Sequence, residues 1–358
     1  MNTKHIYLGL LGAALVFMAA SCSSNQTEGE KILKQSDFPA PPVAEVHPDT
    51  FVNFGKQRID NYYWMKDKTN PKVIEYIKAE NAYTDTVMAS TRDLQQKIYD
   101  EILGRIKEDD ESYPTYDDGY YYYSRTEKGK QYRTYCRRKG SMDAPEEVIF
   151  DVNKLAAGKQ AFIFRGYIIS PDNSKAAYFY NETGSYAEFT MKVRDLASGQ
   201  DVGFTVEGAA SVAWANDNRT LFYSAIDHTL RSSKIFRREL DAAEGTLVYE
   251  EKDAKFSTYV SATKTKQFIF ITCGSSTTSD ERYISADRPT DPFKVFLPRT
   301  KDVEYSVYAH ADRFFIRYKD KEHLNGLIYE APLTGYEDRK TWKEFLPYDK
   351  DVRIEALD

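Results

Sequence analysis

The sequence predicts a mainly β chain: an incomplete β-propeller preceded by a helical segment. Three observations predict it. A turn-then-strand phrase recurs from residue 116 onward at near-constant spacing. Aromatic residues make up 14% of the 358 residues, with 28 Tyr and 20 Phe, which suits half-buried strands and not a long disordered chain. Helical periodicity is confined to 71–107, ahead of the repeats.

The phrase is clearest at Ser170-Pro-Asp-Asn-Ser-Lys-Ala-Ala-Tyr-Phe-Tyr180. Pro presets one turn angle, and Asp, Asn and Ser hydrogen-bond their own backbone; the aromatic run then reads as a strand. The same order returns at Trp214-Ala-Asn-Asp-Asn-Arg-Thr220, at Thr263-Lys-Thr-Lys-Gln267, at His310-Ala-Asp312 and, earlier, at Tyr116-Asp-Asp-Gly119. With Tyr120, Ala176, Thr220, Gln267 and Arg313 taken as equivalent, the steps are 56, 44, 47 and 46 residues. A period of roughly 40–50 residues with several strands per unit is the mark of a propeller. A plain β-sandwich is the alternative, and the regular spacing speaks against it.

Five units follow. The first runs from about Tyr113 to Asp151, and the others begin near Phe162, Ser211, Thr258 and Tyr305. Several close with a strand and an acidic or Pro-marked turn: Glu147-Val-Ile-Phe-Asp151, Thr246-Leu-Val-Tyr-Glu-Glu251, Val295-Phe-Leu-Pro298 and Glu344-Phe-Leu-Pro347. Val352-Arg-Ile-Glu-Ala-Leu357 reads as the opening strand of a sixth.

Ahead of the repeats the chain divides into three stretches. Residues 1–21 read as a signal segment, with Lys4 and His5 before an apolar run from Ile6 to Ala20. That run is short for a membrane span. It ends in Ala19-Ala20-Ser21-Cys22, which resembles a bacterial lipobox with Cys22 as the lipid attachment residue; an ordinary signal peptide is the alternative. Residues 22–45, with Pro39, Pro41 and Pro42, read as a tether. Residues 46–110 read as an N-terminal helical segment and 111–358 as the truncated propeller. Within the former, Tyr62, Tyr63 and Trp64 read as packing onto a neighbouring core. Asn70 and Pro71 read as cap and first position of a helix carrying Val73, Ile74, Tyr76 and Ile77 on one face. A second helix is expected over 92–105, with Leu94, Ile98, Ile102 and Ile106 at steps of four and Gly104 weakening its end.

Composition narrows the function. The formal net charge is −6, which gives no support to a nucleic-acid partner. The run Arg137-Arg138-Lys139 beside Gly140 reads as a solvated strand end and not as a phosphate site. Cys22, Cys136 and Cys273 contain no CxxC pair and only five His are present, so no metal site is expected; Cys136 and Cys273 are expected as free, buried thiols. No Gly-x-Ser-x-Gly elbow, Walker loop or dinucleotide fingerprint occurs, and no cofactor is expected. Gly274-Ser-Ser-Thr-Thr278 reads as a polar hairpin loop. His228, His310 and His323 fall at different repeat positions, and no placed nucleophile singles one out. Asp109-Asp110 and Asp117-Asp118 read as turn residues. No catalytic residue is assigned.

Longer phrases carry a resemblance. They include Arg58-Ile-Asp-Asn-Tyr-Tyr-Trp64, Glu80-Asn-Ala-Tyr83, Ile168-Ile-Ser-Pro-Asp-Asn173, Val212-Ala-Trp-Ala-Asn-Asp217, Leu247-Val-Tyr-Glu-Glu-Lys-Asp253, Ser276-Thr-Thr-Ser-Asp-Glu281 and Phe296-Leu-Pro-Arg-Thr-Lys-Asp-Val-Glu-Tyr-Ser306. In this order the chain from residue 46 resembles the N-terminal half of oligopeptidase B (protease II), of the prolyl oligopeptidase family of serine peptidases. The resemblance implies a seven-bladed propeller that covers an α/β-hydrolase domain and admits short peptides only. It implies endopeptidase cleavage after Arg or Lys, by a Ser-His-Asp triad carried in the hydrolase domain. None of those triad positions falls within this sequence, so the chain is expected to be inactive in isolation.

Two functions follow from the sequence. In the first, the chain is the helical arm and size filter of a lipid-anchored, periplasm-facing oligopeptidase, with short peptides, the hydrolase domain and the membrane as partners. In the second, it is a non-catalytic, lipid-anchored propeller that binds a partner, or a truncated and inactive gene product. A cooperative, monodisperse isolated chain favours the second. Aggregation through unpaired strand edges favours the first.

Overall fold

The computed structural model describes residues 38–357. The signal segment and Cys22 lie outside the described residues. Two compact units are present, dividing between Lys107 and Glu108.

The first unit opens with a hairpin, β1 (Asp49–Asn53) against β2 (Lys56–Asp60). Its two-residue turn is Phe54-Gly55, both at positive φ (52° and 74°), the geometry that matches the twist of paired strands. A 3-10 turn covers Tyr63–Lys66. The aromatics here pack locally: Tyr63 stands edge-on to Phe51 at 4.6 Å, and Trp64 lies 5.2 Å from His47 while its Nε1–H donates to the Glu45 carbonyl. Tyr62 is exposed.

Helix α1 spans Pro71–Met88, with Asn70 Oδ1 accepting the Lys72 N–H at 3.0 Å. This satisfies one of the free amides of the first turn. Helix α2 spans Arg92–Leu103 and stops at Gly104, two residues short of the expected end. Val73 is buried, yet Ile74, Ile77, Leu94, Ile98, Ile102 and Ile106 are all exposed.

The second unit holds five antiparallel sheets. The first contains β3 (Asp110–Glu111), β4 (Thr115–Asp117), β5 (Tyr120–Thr126), β6 (Thr134–Lys139) and β7 (Glu147–Asp151). A short helix α3 (Val152–Ala156) leads to the second: β8 (Ile163–Ile169), β9 (Lys175–Asn181), β10 (Thr190–Asp195) and β11 (Asp201–Val206). The third has β12 (Ala209–Trp214), β13 (Thr220–Ile226), β14 (Ser232–Glu239) and β15 (Thr246–Glu250). The fourth has β16 (Ser257–Ala262), β17 (Phe268–Gly274), β18 (Ser279–Ser285) and β19 (Lys294–Val295). The fifth has β20 (Glu304–His310), β21 (Arg313–Lys319), β22 (Leu327–Pro332) and β23 (Lys343–Leu346). In the last four sheets the strands pair in chain order.

Each sheet buries its faces against its neighbours in sequence. Along β9, Ala176 and Tyr178 join a core with Phe150 of the first sheet, while Ala177 and Phe179 join a core with Trp214 and Leu221 of the third. Along β13, Tyr223 faces the second sheet and Phe222 the fourth; along β17, Ile269 and Ile271 face the third and Phe270 the fifth. Alternating side chains therefore feed alternating cores, and the second strands are apolar on both faces. Four cores between five sheets is the layering of a propeller. A sandwich would hold one.

In the second, fourth and fifth sheets the first strand is an edge, and backbone groups along it are met by side chains of the neighbouring sheet. Ser211 Oγ accepts the Val260 N–H (2.9 Å), Ser279 Oγ accepts the Tyr305 N–H (2.7 Å) and Glu281 Oε2 accepts the Val307 N–H (3.0 Å). Trp214 Nε1–H donates to the Ile168 carbonyl (3.1 Å). The 352–357 segment, expected as a sixth opening strand, pairs with no strand among the described residues. Ile354 instead donates its N–H to the Asn325 carbonyl and accepts from Arg317 Nε, both at 2.9 Å.

Candidate functional site

The repeated turns join β4 to β5 in the first sheet and the first strand to the second in the other four, and four of the five turns meet at one place. Each is built by local chemistry. In the second sheet Asp172 Oδ1 accepts the Ser174 N–H (3.0 Å) and the Ser170 hydroxyl (2.6 Å), which leaves Asn173 at φ 62°. In the third, Asp217 Oδ1 accepts the N–H groups of Arg219 (3.0 Å) and Thr220 (2.8 Å), with Asn218 at φ 57°. In the fourth, Lys266 stands at φ 58° and donates its N–H to the Thr263 carbonyl (2.8 Å). In the first, Asp118 (φ 45°) and Gly119 make a two-residue hairpin turn, and Ala311 (φ 53°) opens the turn of the fifth.

Asn173, Asn218 and Lys266 occupy the same left-handed position in successive turns. Asn tolerates it readily, whereas Lys there costs about 1–2 kcal/mol. Their side chains reach other sheets. Asn173 Nδ2 donates to Asp118 Oδ2 (2.8 Å), and Asn218 Oδ1 accepts the Asp172 N–H (2.8 Å). Each of these joins neighbouring sheets. Lys266 reaches further: its Nζ bonds Asp118 Oδ2 (2.7 Å) in the first sheet and the Pro171 carbonyl (3.2 Å) in the second. Asn216 Nδ2 holds the Lys266 carbonyl from the third sheet at 2.9 Å. One residue thus draws the turns of four sheets together, its ammonium reaching the first and second and its carbonyl held by the third. The Lys266 bond, and then that of Asn173, holds the Asp118 carboxyl below the usual range.

Arg137 supports this hub and corrects the reading of Arg137-Arg138-Lys139 as a solvated strand end. Its side chain is buried, lies 4.3 Å over the Tyr120 ring, bonds Glu147 (2.8 Å) and donates to the Asn173 carbonyl (2.8 Å). The ring and carboxylate that receive it lie on two further strands, so its burial was invisible in the run itself. Tyr122 donates its hydroxyl to Asn173 Oδ1 (2.8 Å), fixing the same turn.

The fourth turn also walls a cavity of about 750 Å³. Lys264, Phe270, Tyr308, His310, Phe315 and Phe345 line it. Its volume lies within the ordinary range for ligand clefts, and one wall is the same loop that carries Lys266.

Among the described residues, the cysteines and histidines weighed as nucleophile or base lie in separate surroundings. Cys136 and Cys273 are free and fully buried, as expected. Burial pushes their thiols up to about 12 and about 11, so neither supplies a thiolate nucleophile. His323 Nδ1 pairs with Asp320 Oδ1 at 2.8 Å and packs against Tyr348. His228 sits in the loop after β13, and His310 ends β20. The 275–278 loop is a hairpin, closed by Ser275 N–H on the Thr278 carbonyl (2.9 Å). Asp118 takes its place in the hub as a turn residue.

Comparison with known proteins places these features. The family model described as the prolyl oligopeptidase N-terminal beta-propeller domain matches residues 41–358. Dipeptidyl aminopeptidase BI of Pseudoxanthomonas mexicana is 35% identical over 98% of this chain and 50% of its own length. Protease 2 of Moraxella lacunata is 28% identical over 87% of this chain and 48% of its own. The structure of oligopeptidase B from Leishmania major superposes with a TM-score of 0.81 at 27% identity, covering 88% of this chain and 47% of that one. The chain thus spans about half the length of the relatives it matches, and it belongs to the prolyl oligopeptidase family of serine peptidases, of which it is the N-terminal β-propeller portion.

Proposed function

We propose that this chain is the substrate-filtering half of an exported oligopeptidase that cleaves short peptides after Arg or Lys. A hydrolase domain supplies the Ser-His-Asp triad and performs acyl transfer. The propeller restricts what reaches it. The observation that carries this reading is the hub, where the turns of four sheets are tied through Lys266 beside a peptide-sized cavity. A closure made of single side chains parts for an extended peptide and excludes a folded protein. Cys22 carries the lipid in this proposal and anchors the enzyme to a membrane on the periplasmic side; firm anchoring takes two lipid signals.

The 35% identity to a dipeptidyl aminopeptidase favours a second reading. There the parent enzyme removes dipeptides from free N-termini and does not cut internally.

An immunoblot of source cells against this chain tests the first step. A band near twice 41.2 kDa supports a parent with a catalytic half, and a single band near 41.2 kDa overturns it. The native enzyme is then assayed on N-blocked Arg and Lys amides and on unblocked dipeptide amides. Turnover of the blocked substrates supports the endopeptidase. Turnover of only the unblocked ones supports the second reading. The isolated chain is expected to hydrolyse neither.

A further inference from the structure

Glu281 lies mid-strand in β18 with its side chain toward the fifth sheet, 4% exposed. Oε2 accepts the Val307 N–H of β20 at 3.0 Å, and Oε1 meets the Thr272 hydroxyl of β17 at 3.3 Å. Around it, the backbone N–H of Glu281 donates to the Tyr305 hydroxyl (3.0 Å) and its carbonyl accepts the Phe296 N–H (2.8 Å). The titratable groups of the core on this side are Tyr305 from β20, Tyr318 from β21, Tyr283 from β18 and Tyr336, the last two hydrogen-bonded to each other. Asp280, next in the strand, points to the opposite face. There it takes the guanidiniums of Arg282 and Arg299, and Arg299 also binds Glu251. Among the described residues no Lys, Arg or His forms an ion pair with Glu281.

We propose that Glu281 is a pH-operated clasp between the fourth and fifth sheets: the neutral acid joins β18 to β20, and its ionisation releases the joint. Two neutral donors do not offset a carboxylate removed from water and left without a cation. A neutral acid fits the same site, because one oxygen accepts from Val307 while the O–H donates to Thr272. Burial pushes the carboxyl up to about 8, against the lowering by the Val307 amide and the Thr272 hydroxyl, and the Asp280 charge adds to the rise. An unfolded chain releases this proton near 4.5. Between these values the folded state binds the extra proton, so each rise of one pH unit weakens folding by up to tenfold through this group. The contribution is whole below about 4.5 and is lost as pH rises through about 8.

Glu281→Gln tests the clasp, since the amide keeps the shape and both hydrogen bonds of the neutral acid but cannot ionise. The full chain and this variant are unfolded in urea at intervals from pH 5 to 9. The expected result is that the variant gains on the parent chain by up to tenfold in folding equilibrium constant per unit between pH 5 and 8. Parallel pH profiles would overturn the proposal. Hydrogen exchange of the unmodified chain decides the matter if the variant fails to fold. The Val307 amide is expected to lose protection with rising pH faster than the Tyr305 amide, whose partner is the neutral Ser279 hydroxyl. Equal loss at both amides overturns the clasp.

Discussion

Replacing Tyr305 by Phe removes a single oxygen from the joint between the fourth and fifth sheets. The side chain is 2% exposed. Its hydroxyl accepts the N–H groups of Glu281 (3.0 Å) and Leu297 (3.2 Å) and donates to the Leu297 carbonyl (3.0 Å). The ring itself stays, packed 6.2 Å from Phe296, so no apolar burial is lost. What is lost is the partner of three buried backbone groups. Each unsatisfied group costs about 1–3 kcal/mol, and the lower end applies where a water can enter. The expected destabilisation is about 3 kcal/mol, a large share of the roughly 5–15 kcal/mol that holds a typical domain together. In a domain of this size that lowers the melting midpoint by about 6–12 °C. Urea unfolding followed by tryptophan fluorescence measures it, with Tyr283→Phe as control. That control removes one hydroxyl, which pairs with the Tyr336 hydroxyl, and is expected to cost about 1 kcal/mol. A Tyr305→Phe variant within about 0.5 kcal/mol of the parent would refute the account of the joint, because that is the scatter of neutral substitutions.

Three other outcomes follow from the same geometry. Lys266→Asn should leave stability within about 1 kcal/mol, because a partly exposed ion pair contributes little and Asn suits the left-handed position; in the native parent enzyme it should widen the size range of peptides cleaved, read by mass spectrometry of digests of graded length. Gly203→Ala should destabilise by about 2–4 kcal/mol, since Gly203 has φ 72° and an added Cβ would stand 2.9 Å from the Leu240 carbonyl; chemical denaturation measures it. Cys136 and Cys273 should resist iodoacetamide at pH 8 in the native chain and react on addition of denaturant, because burial pushes both thiols well above that pH; intact-mass measurement counts the adducts.

Features governed by nearest neighbours in the chain were legible from sequence. Asn70-Pro71 announces α1, and the Asp-Asn turns announce the hairpins, because their hydrogen bonds are made within five residues. The second strands were legible because they are apolar on both faces. The third strands β10, β14, β18 and β22 were not singled out, since their mixed polar residues acquire meaning only from the sheets on either side. The β1–β2 hairpin escaped notice because its turn is Phe54-Gly55, and Phe gives no turn signal. The hub divides in the same way. Asp118 and Asn173 could be placed in turns, but nothing near Lys266 in the sequence indicates a partner 148 residues earlier. Arg137 looked solvated because Tyr120 and Glu147 come to it from other strands and Asn173 from the turn of another sheet.

The sharing of each second strand between two cores has a consequence for how substitutions combine. Ala176 and Ala177 are covalent neighbours, yet they contact different sheets, so their replacements should add nearly independently. Phe150 and Tyr178 are far apart in the chain, yet their rings lie 4.8 Å apart, so theirs should couple strongly. Epistasis in a library of double variants would therefore follow the order of the sheets and skip every other residue along a strand. Drift in one layer would be felt by the layers directly beside it and hardly at all by those beyond, so that lineages could rebuild the propeller one interface at a time.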